Sequence, residues 1–127
     1  NPTANNSGTA FSYAGGSDYR LKTNVVNYTN AITDVKQLKT YKFNYIETDK
    51  IIVDKPDVLC SGFYAHEAGA VVPASLIGKK DEVDSEGDPI YQSLKYEKFV
   101  PLLTAALQEA ISKIEVLETK VAALEAA

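Results

Sequence analysis

The sequence has no methionine, no tryptophan, one cysteine and one histidine in 127 residues. Each shortage removes a class of chemistry. A lone Cys60 closes no internal disulfide, which fits folding in a reducing compartment. Its setting, VLCSGFY, reads as a buried strand in which the thiol is a small core hydrophobe. One histidine and one cysteine supply no zinc set, so neither a metal nor a cofactor is expected. A Ser-His-Asp arrangement is open only through His66, and the residues around it do not suggest one. No apolar run approaches the roughly 20 residues that span a bilayer. The opening NPTANNSGTA has no basic region followed by an apolar block, so it does not read as a signal peptide. A net charge of −4 weighs against nucleic acid or an anionic membrane as a partner. The missing methionine is expected of a piece of a longer protein.

What is present is ordinary in bulk: 45% apolar and 24% charged residues, enough for one domain with an appended element. Residues 1–16 hold mostly Asn, Ser, Thr, Ala and Gly, with aromatics at Phe11 and Tyr13. They read as a linker, or as an extended segment ordered by neighbours. Composition shifts at Ser17, where a packed unit is expected to begin. Ile32, Val35 and Leu38 have helical spacing, whereas Tyr41, Phe43 and Tyr45 alternate, so a short helix feeds a half-buried strand. DVLCSGFYA and IYQSLKY are further strand candidates. HEAGAVVPASLIG reads as one or two helical turns stopped by Pro73. The acidic run from Asp81 to Asp88 lacks the alternation and terminal glutamate of a calcium loop, and Gly87-Asp88-Pro89 marks a solvated turn. LIGKK lacks the upstream glycine and the hydroxyl of a phosphate-binding loop. The expected class is α+β: a small globular head over residues 17–98, built of short helices and strands, then a long helix over 99–127.

That last segment carries the strongest pattern. After Pro101, Leu103, Leu107, Ala110, Ile114, Leu117, Val121 and Leu124 follow one another alternately four and three residues apart. This is a heptad repeat with Leu107, Ile114 and Val121 at a and the other four at d. Lys113 and Lys120 then fall at g, with Glu118 and Glu125 at e, the positions from which parallel chains pair charges. Such exposed pairs contribute little stability, about 0–1 kcal/mol each, and serve to fix register and partner. The pattern predicts a self-associating coiled coil without fixing its strand number. β-branched residues at a with leucine at d lean towards two strands, whereas Ile111 at e widens the apolar face.

The chemistry concentrates in GGSDYRLK, residues 15–22. A serine hydroxyl needs a base to become a nucleophile, and a neutral lysine amine is one such base. Ser17 and Lys22 supply the two groups. Arg20 is a candidate cation for disfavouring the charge on Lys22. Asp18 can instead pair with Arg20, or cap a short helix beginning at Tyr19. Gly16 can present its carbonyl to Ser17 in a geometry other residues avoid. Spacing sets a condition, because residues five apart span roughly 17 Å when extended. On a helix they are about 7.5 Å apart along the axis and some 140° apart around it. The pair must therefore meet across a turn or across a subunit boundary. By spacing alone, a surface turn with a capping aspartate explains the same residues.

Four blocks in order, SDYRLKTNV, LKTYKFNY, GFYAHEAGAVVPASLIGKKDEVD and YEKFVPLLTAALQEAISKIEVLETKVAALEA, closely resemble the endosialidase-type C-terminal intramolecular chaperone domain of phage tailspikes and tail fibres. The resemblance runs over residues 17–127. It implies a homotrimer that registers and folds the upstream fibre body of the same chain. It further implies self-release by cutting the Gly16–Ser17 bond, with Ser17 and Lys22 as a catalytic dyad and the chain acting as a self-cleaving serine peptidase. Asp18, Arg20, His66 and Glu67 fall within matching motifs and are carried as supporting residues. At His66 many members have glutamine, so it reads equally as a satisfied polar residue at a strand-to-helix corner. Residues 1–16 would be the end of the fibre body. The implied setting is the host cytoplasm during phage assembly, with the mature fibre in the virion tail. Two other readings share most features: a trimerisation cap that does not cut, and a receptor-binding fibre tip. Against the tip stand the absent tryptophan and the lack of a dense aromatic platform, although 8 tyrosines could line a groove.

Overall fold

Ala31, Ala68, Phe99, Leu102 and Ala106 are the buried apolar side chains among the described residues, and the fold is organised by how they meet. The computed structural model describes residues 16–127, so the expectations for residues 1–15 lie outside the described part. Helix α1 (Ala31–Val35) lies against the first half of α3 (Phe99–Ala126), and α2 (Ala65–Val71) adds Ala68 to the same core. Ile32, Val35, Leu38, Phe63, Val72, Leu94 and Ala105 pack around this small centre. Phe63 stacks on Phe99 at 5.1 Å and on Tyr96 at 6.0 Å, tying the segment between β2 and α2 to the start of α3.

Two small antiparallel ribbons complete the head. Strand β1 (Tyr41–Phe43) pairs with β2 (Cys60–Gly62) in the register Tyr41↔Gly62, and β3 (Leu76–Ile77) pairs with β4 (Ser93–Leu94) through Leu76↔Leu94. The class is α+β, as the sequence indicates, but the strands are shorter than the alternation suggests. Pairing in β1 stops at Phe43, and Asn44 instead donates its side-chain amide to the carbonyls of Pro56 and Val58. Cys60 is half-buried rather than buried, at the start of β2 in a two-stranded ribbon. Helix α2 ends at Val71 ahead of Pro73, where the ring would remove a helical hydrogen bond. A 3-10 turn at Pro73–Ser75 follows and buries Ser75, whose hydroxyl donates to the Val72 carbonyl at 2.7 Å.

Helix α3 presents two apolar faces. Phe99, Leu102 and Ala106 turn into the head of their own chain. The heptad line through Leu103, Leu107, Ile114, Leu117, Val121 and Leu124 is exposed, and from residue 111 onward every residue of the helix is solvent-facing. Its 28 residues extend about 42 Å, far beyond the head. The Glu109 carboxylate, on the inward side, accepts the Ile32 amide at 3.3 Å and pairs with Lys113 at 3.6 Å. Within one chain Lys113 is thus engaged one turn back along its own helix.

Candidate active site

Residues 16–30 run along the outside of the head, and all are exposed. One 3-10 turn, Tyr19–Leu21, interrupts this otherwise irregular segment near its start. The Leu21 amide donates to the Asp18 carbonyl at 3.0 Å and the Lys22 amide to the Tyr19 carbonyl at 3.2 Å. The Asp18 side chain caps the turn, its Oδ1 accepting the Arg20 amide at 2.9 Å. The same carboxylate receives the Arg20 guanidinium as a fork, Nε to Oδ1 and Nη2 to Oδ2, each at 2.9 Å. Both roles open to Asp18 in the sequence, cap and ion-pair partner, are therefore filled at once. The guanidinium and then the Arg20 amide hold the Asp18 carboxyl below the usual carboxylate range, and Arg20 is pushed up in turn.

This turn brings the ends of the segment together. Lys22 Nζ lies 2.7 Å from Ser17 Oγ, a hydrogen bond between side chains five residues apart. The contact is made within one chain and across a turn, one of the two routes the spacing left open. Chemically it is a hydroxyl with an amine in proton-transfer range, beside the carbonyl of Gly16. Arg20 is not a free cation beside Lys22, because its charge is paired with Asp18.

The other proposed supporting residues make their contacts with other partners. His66 and Glu67 sit in the first turn of α2, and among the described residues no hydrogen bond or ion pair joins them to Ser17 or Lys22. His66 is exposed and stacks on Tyr64 at 5.9 Å. Glu67 accepts the Tyr41 hydroxyl at 2.8 Å and faces Lys39 at 4.0 Å, bracing β1 against α2. The role of Tyr41 is not legible in the sequence: the alternation gives it a strand position, and nothing there marks its hydroxyl as a partner of α2.

Two shallow grooves follow α3, one lined by Glu115, Val116 and Thr119, the other by Tyr28, Asn30 and Glu109; neither includes Ser17 or Lys22. Asp84, Glu86 and Asp88 bring carboxylate oxygens within 4.8 Å of one another. Asp84 Oδ1 accepts the amides of Glu86 and Asp88, and Asp88 pairs with Lys50 at 2.9 Å. These bonds build a turn through Gly87 at φ 84°, the conformation for which glycine carries no steric cost.

No curated protein matches the chain. A peptidase-family model described as "Chaperone of endosialidase" matches residues 17–77, from Ser17 to the end of β3. The last sequence block and α3 lie beyond that match. The match supports an endosialidase-type chaperone domain in this chain, and it starts at the serine of the hydrogen-bonded Ser17/Lys22 pair.

Proposed function

We propose that this chain is the intramolecular chaperone of a phage tail fibre or tailspike, and that it releases itself by cutting the Gly16–Ser17 bond. The observation that carries the reading is the 2.7 Å contact between Lys22 Nζ and Ser17 Oγ at the first residue of the family match. With its amine neutral, Lys22 takes the hydroxyl proton as Ser17 Oγ attacks the Gly16 carbonyl carbon. The adduct closes a ring through Oγ, Cβ, Cα, N and that carbon. Lys22 then returns the proton to the Ser17 nitrogen as the C–N bond breaks, leaving Gly16 as an ester on Ser17 Oγ. Water hydrolyses the ester, giving a Gly16 carboxylate and Ser17 with a free amine and hydroxyl.

The chaperone part rests on α3. An exposed heptad line with oppositely charged flanks brings three chains together in register at one end. Helical association is local and fast, whereas interwound β-structure is slow and prone to mispairing. Joining the ends first raises the effective concentration of the fibre bodies for one another. Removing the clamp afterwards leaves the fibre kinetically trapped. The partners are therefore two further copies and the fibre body of the same chain, assembled in the host cytoplasm and carried into the virion tail.

One observation favours a cap that does not cut. Ser17 and Lys22 are exposed in the single chain, whereas a lysine base needs surroundings that disfavour its charge. The deciding experiment is the denatured intact mass of the chain with its upstream fibre, beside Ser17→Ala. Two fragments meeting at Gly16–Ser17, absent in the variant, support self-release. A single uncut mass for both leaves a permanent trimerisation cap.

A further inference from the structure

We infer that Asp18 is a positioning residue for this cleavage: its side-chain oxygen, capping the Arg20 amide, holds the one backbone turn that returns Lys22 to Ser17. The inference rests on the self-cleavage reading above and adds a residue that acts through the backbone. The Ser17–Lys22 contact depends wholly on the fold of the four residues between its partners, since an extended run would separate them by roughly 17 Å. The fold of those residues is a three-residue 3-10 turn with no buried side chain. Such a turn has poor hydrogen-bond geometry and is not stable in isolation. No apolar burial holds it, so its order must come from local polar contacts.

Those contacts converge on one carboxylate. Asp18 accepts three hydrogen bonds from Arg20, one from its amide and two from its guanidinium, all at 2.9 Å. The amide bond satisfies a donor that the turn leaves free, as an N-cap does. The fork fixes the residue in the middle of the turn with charge-assisted bonds. Among the described residues, Asp18 makes no hydrogen bond to Ser17 or Lys22, so its action is on geometry and not on the reacting atoms. The cap and the fork separate by chemistry. Asparagine or serine at position 18 retains the cap, and alanine retains neither.

The test is pulse-labelled cell-free synthesis of the chain with its upstream fibre, following the appearance of the two fragments over time. Asp18→Ala is expected to slow cleavage at least about tenfold, with the pH of half-maximal rate unchanged. Asp18→Asn and Asp18→Ser are expected to stay within a few-fold of the parent, a rescue that a general loss of folding would not show. Wild-type speed in Asp18→Ala overturns the inference. So does an Asn variant as slow as the alanine one, because charge and not the cap would then matter. A second measurement does not depend on cutting. In a Ser17→Ala background, added Asp18→Ala should speed hydrogen exchange of the Arg20, Leu21 and Lys22 amides, and unchanged exchange refutes the turn-holding role. Failure of the parent chain to cut, with the exchange result as expected, instead locates the fault in the self-cleavage reading.

Discussion

Lys22 Nζ stands 2.7 Å from Ser17 Oγ because the chain between them makes a single 3-10 turn, Tyr19–Leu21. If this contact is a base poised on a nucleophile, the amine must be able to lose its proton. Lys22→Arg keeps the charge and much of the reach but is never neutral in a protein. It should abolish cleavage as fully as Lys22→Ala, each by at least about a hundredfold. Fragment yield read by intact mass checks this, and cleavage by the arginine variant would exclude lysine as the base.

Gly69 is buried in α2 against β3, and a Cβ built there would meet Leu76 Cδ2 at 2.8 Å and Leu76 Cβ at 2.9 Å. Helix propensity favours alanine over glycine by about 1 kcal/mol. Overpacking a tight site costs about 1–3 kcal/mol. The Cβ of Leu76 is anchored next to its backbone and cannot simply swing away, so the steric effect should win. Gly69→Ala is expected to lower stability by up to about 2 kcal/mol in denaturant titration. A stabilised variant would mean that β3 yields without cost.

Tyr41 donates to Glu67, and this carboxylate, followed by burial, pushes the phenol above its ordinary value of 10.0. A group whose folded pKa is raised contributes stability that is fully present below the unfolded value. That contribution is lost as pH rises through the folded value. The head should therefore lose stability above about pH 10, and Tyr41→Phe should remove that part of the loss. Tyr28 is also pushed up, by burial and by Asp34, so the difference between parent and variant is the quantity to follow. Thermal unfolding at neutral pH and near pH 11 measures it. Parallel curves for the two proteins would show that the Tyr41 bond adds nothing.

The features legible in the sequence are those encoded locally. The heptad line, the stop at Pro73, the turn at Gly87 and the capping aspartate at position 18 each depend on residues within a few positions of one another. The meeting of Ser17 and Lys22 was open, because spacing named a turn as one route without saying that this turn forms. The strands were overextended, since alternation records which face is buried and not where a two-stranded ribbon loses its partner. The sequence does not mark the contacts of Glu67 with Tyr41 and Lys39, which are a tertiary relation across β1 and α2. The second apolar face of α3 was hidden by the first. Phe99, Leu102 and Ala106 repeat three and four apart, offset from the seam, and only the packed head shows which line faces inward.

Those two faces predict separable defects. Leu102 is 1% exposed and belongs to the head, so Leu102→Ala should cost about 2–5 kcal/mol and loosen the whole unit. Ile114 is 55% exposed in the single chain and lies on the heptad line beyond the head. A carboxylate there would be buried three times over at the axis of a trimer without a counter-charge, a cost a coiled coil cannot absorb. Ile114→Asp should therefore leave the head folded but monomeric by sedimentation. Because registration would precede folding of the fibre, the same variant should yield upstream chains that fail to assemble. A trimeric Ile114→Asp protein would place the association in the head and leave the heptads without their assigned role.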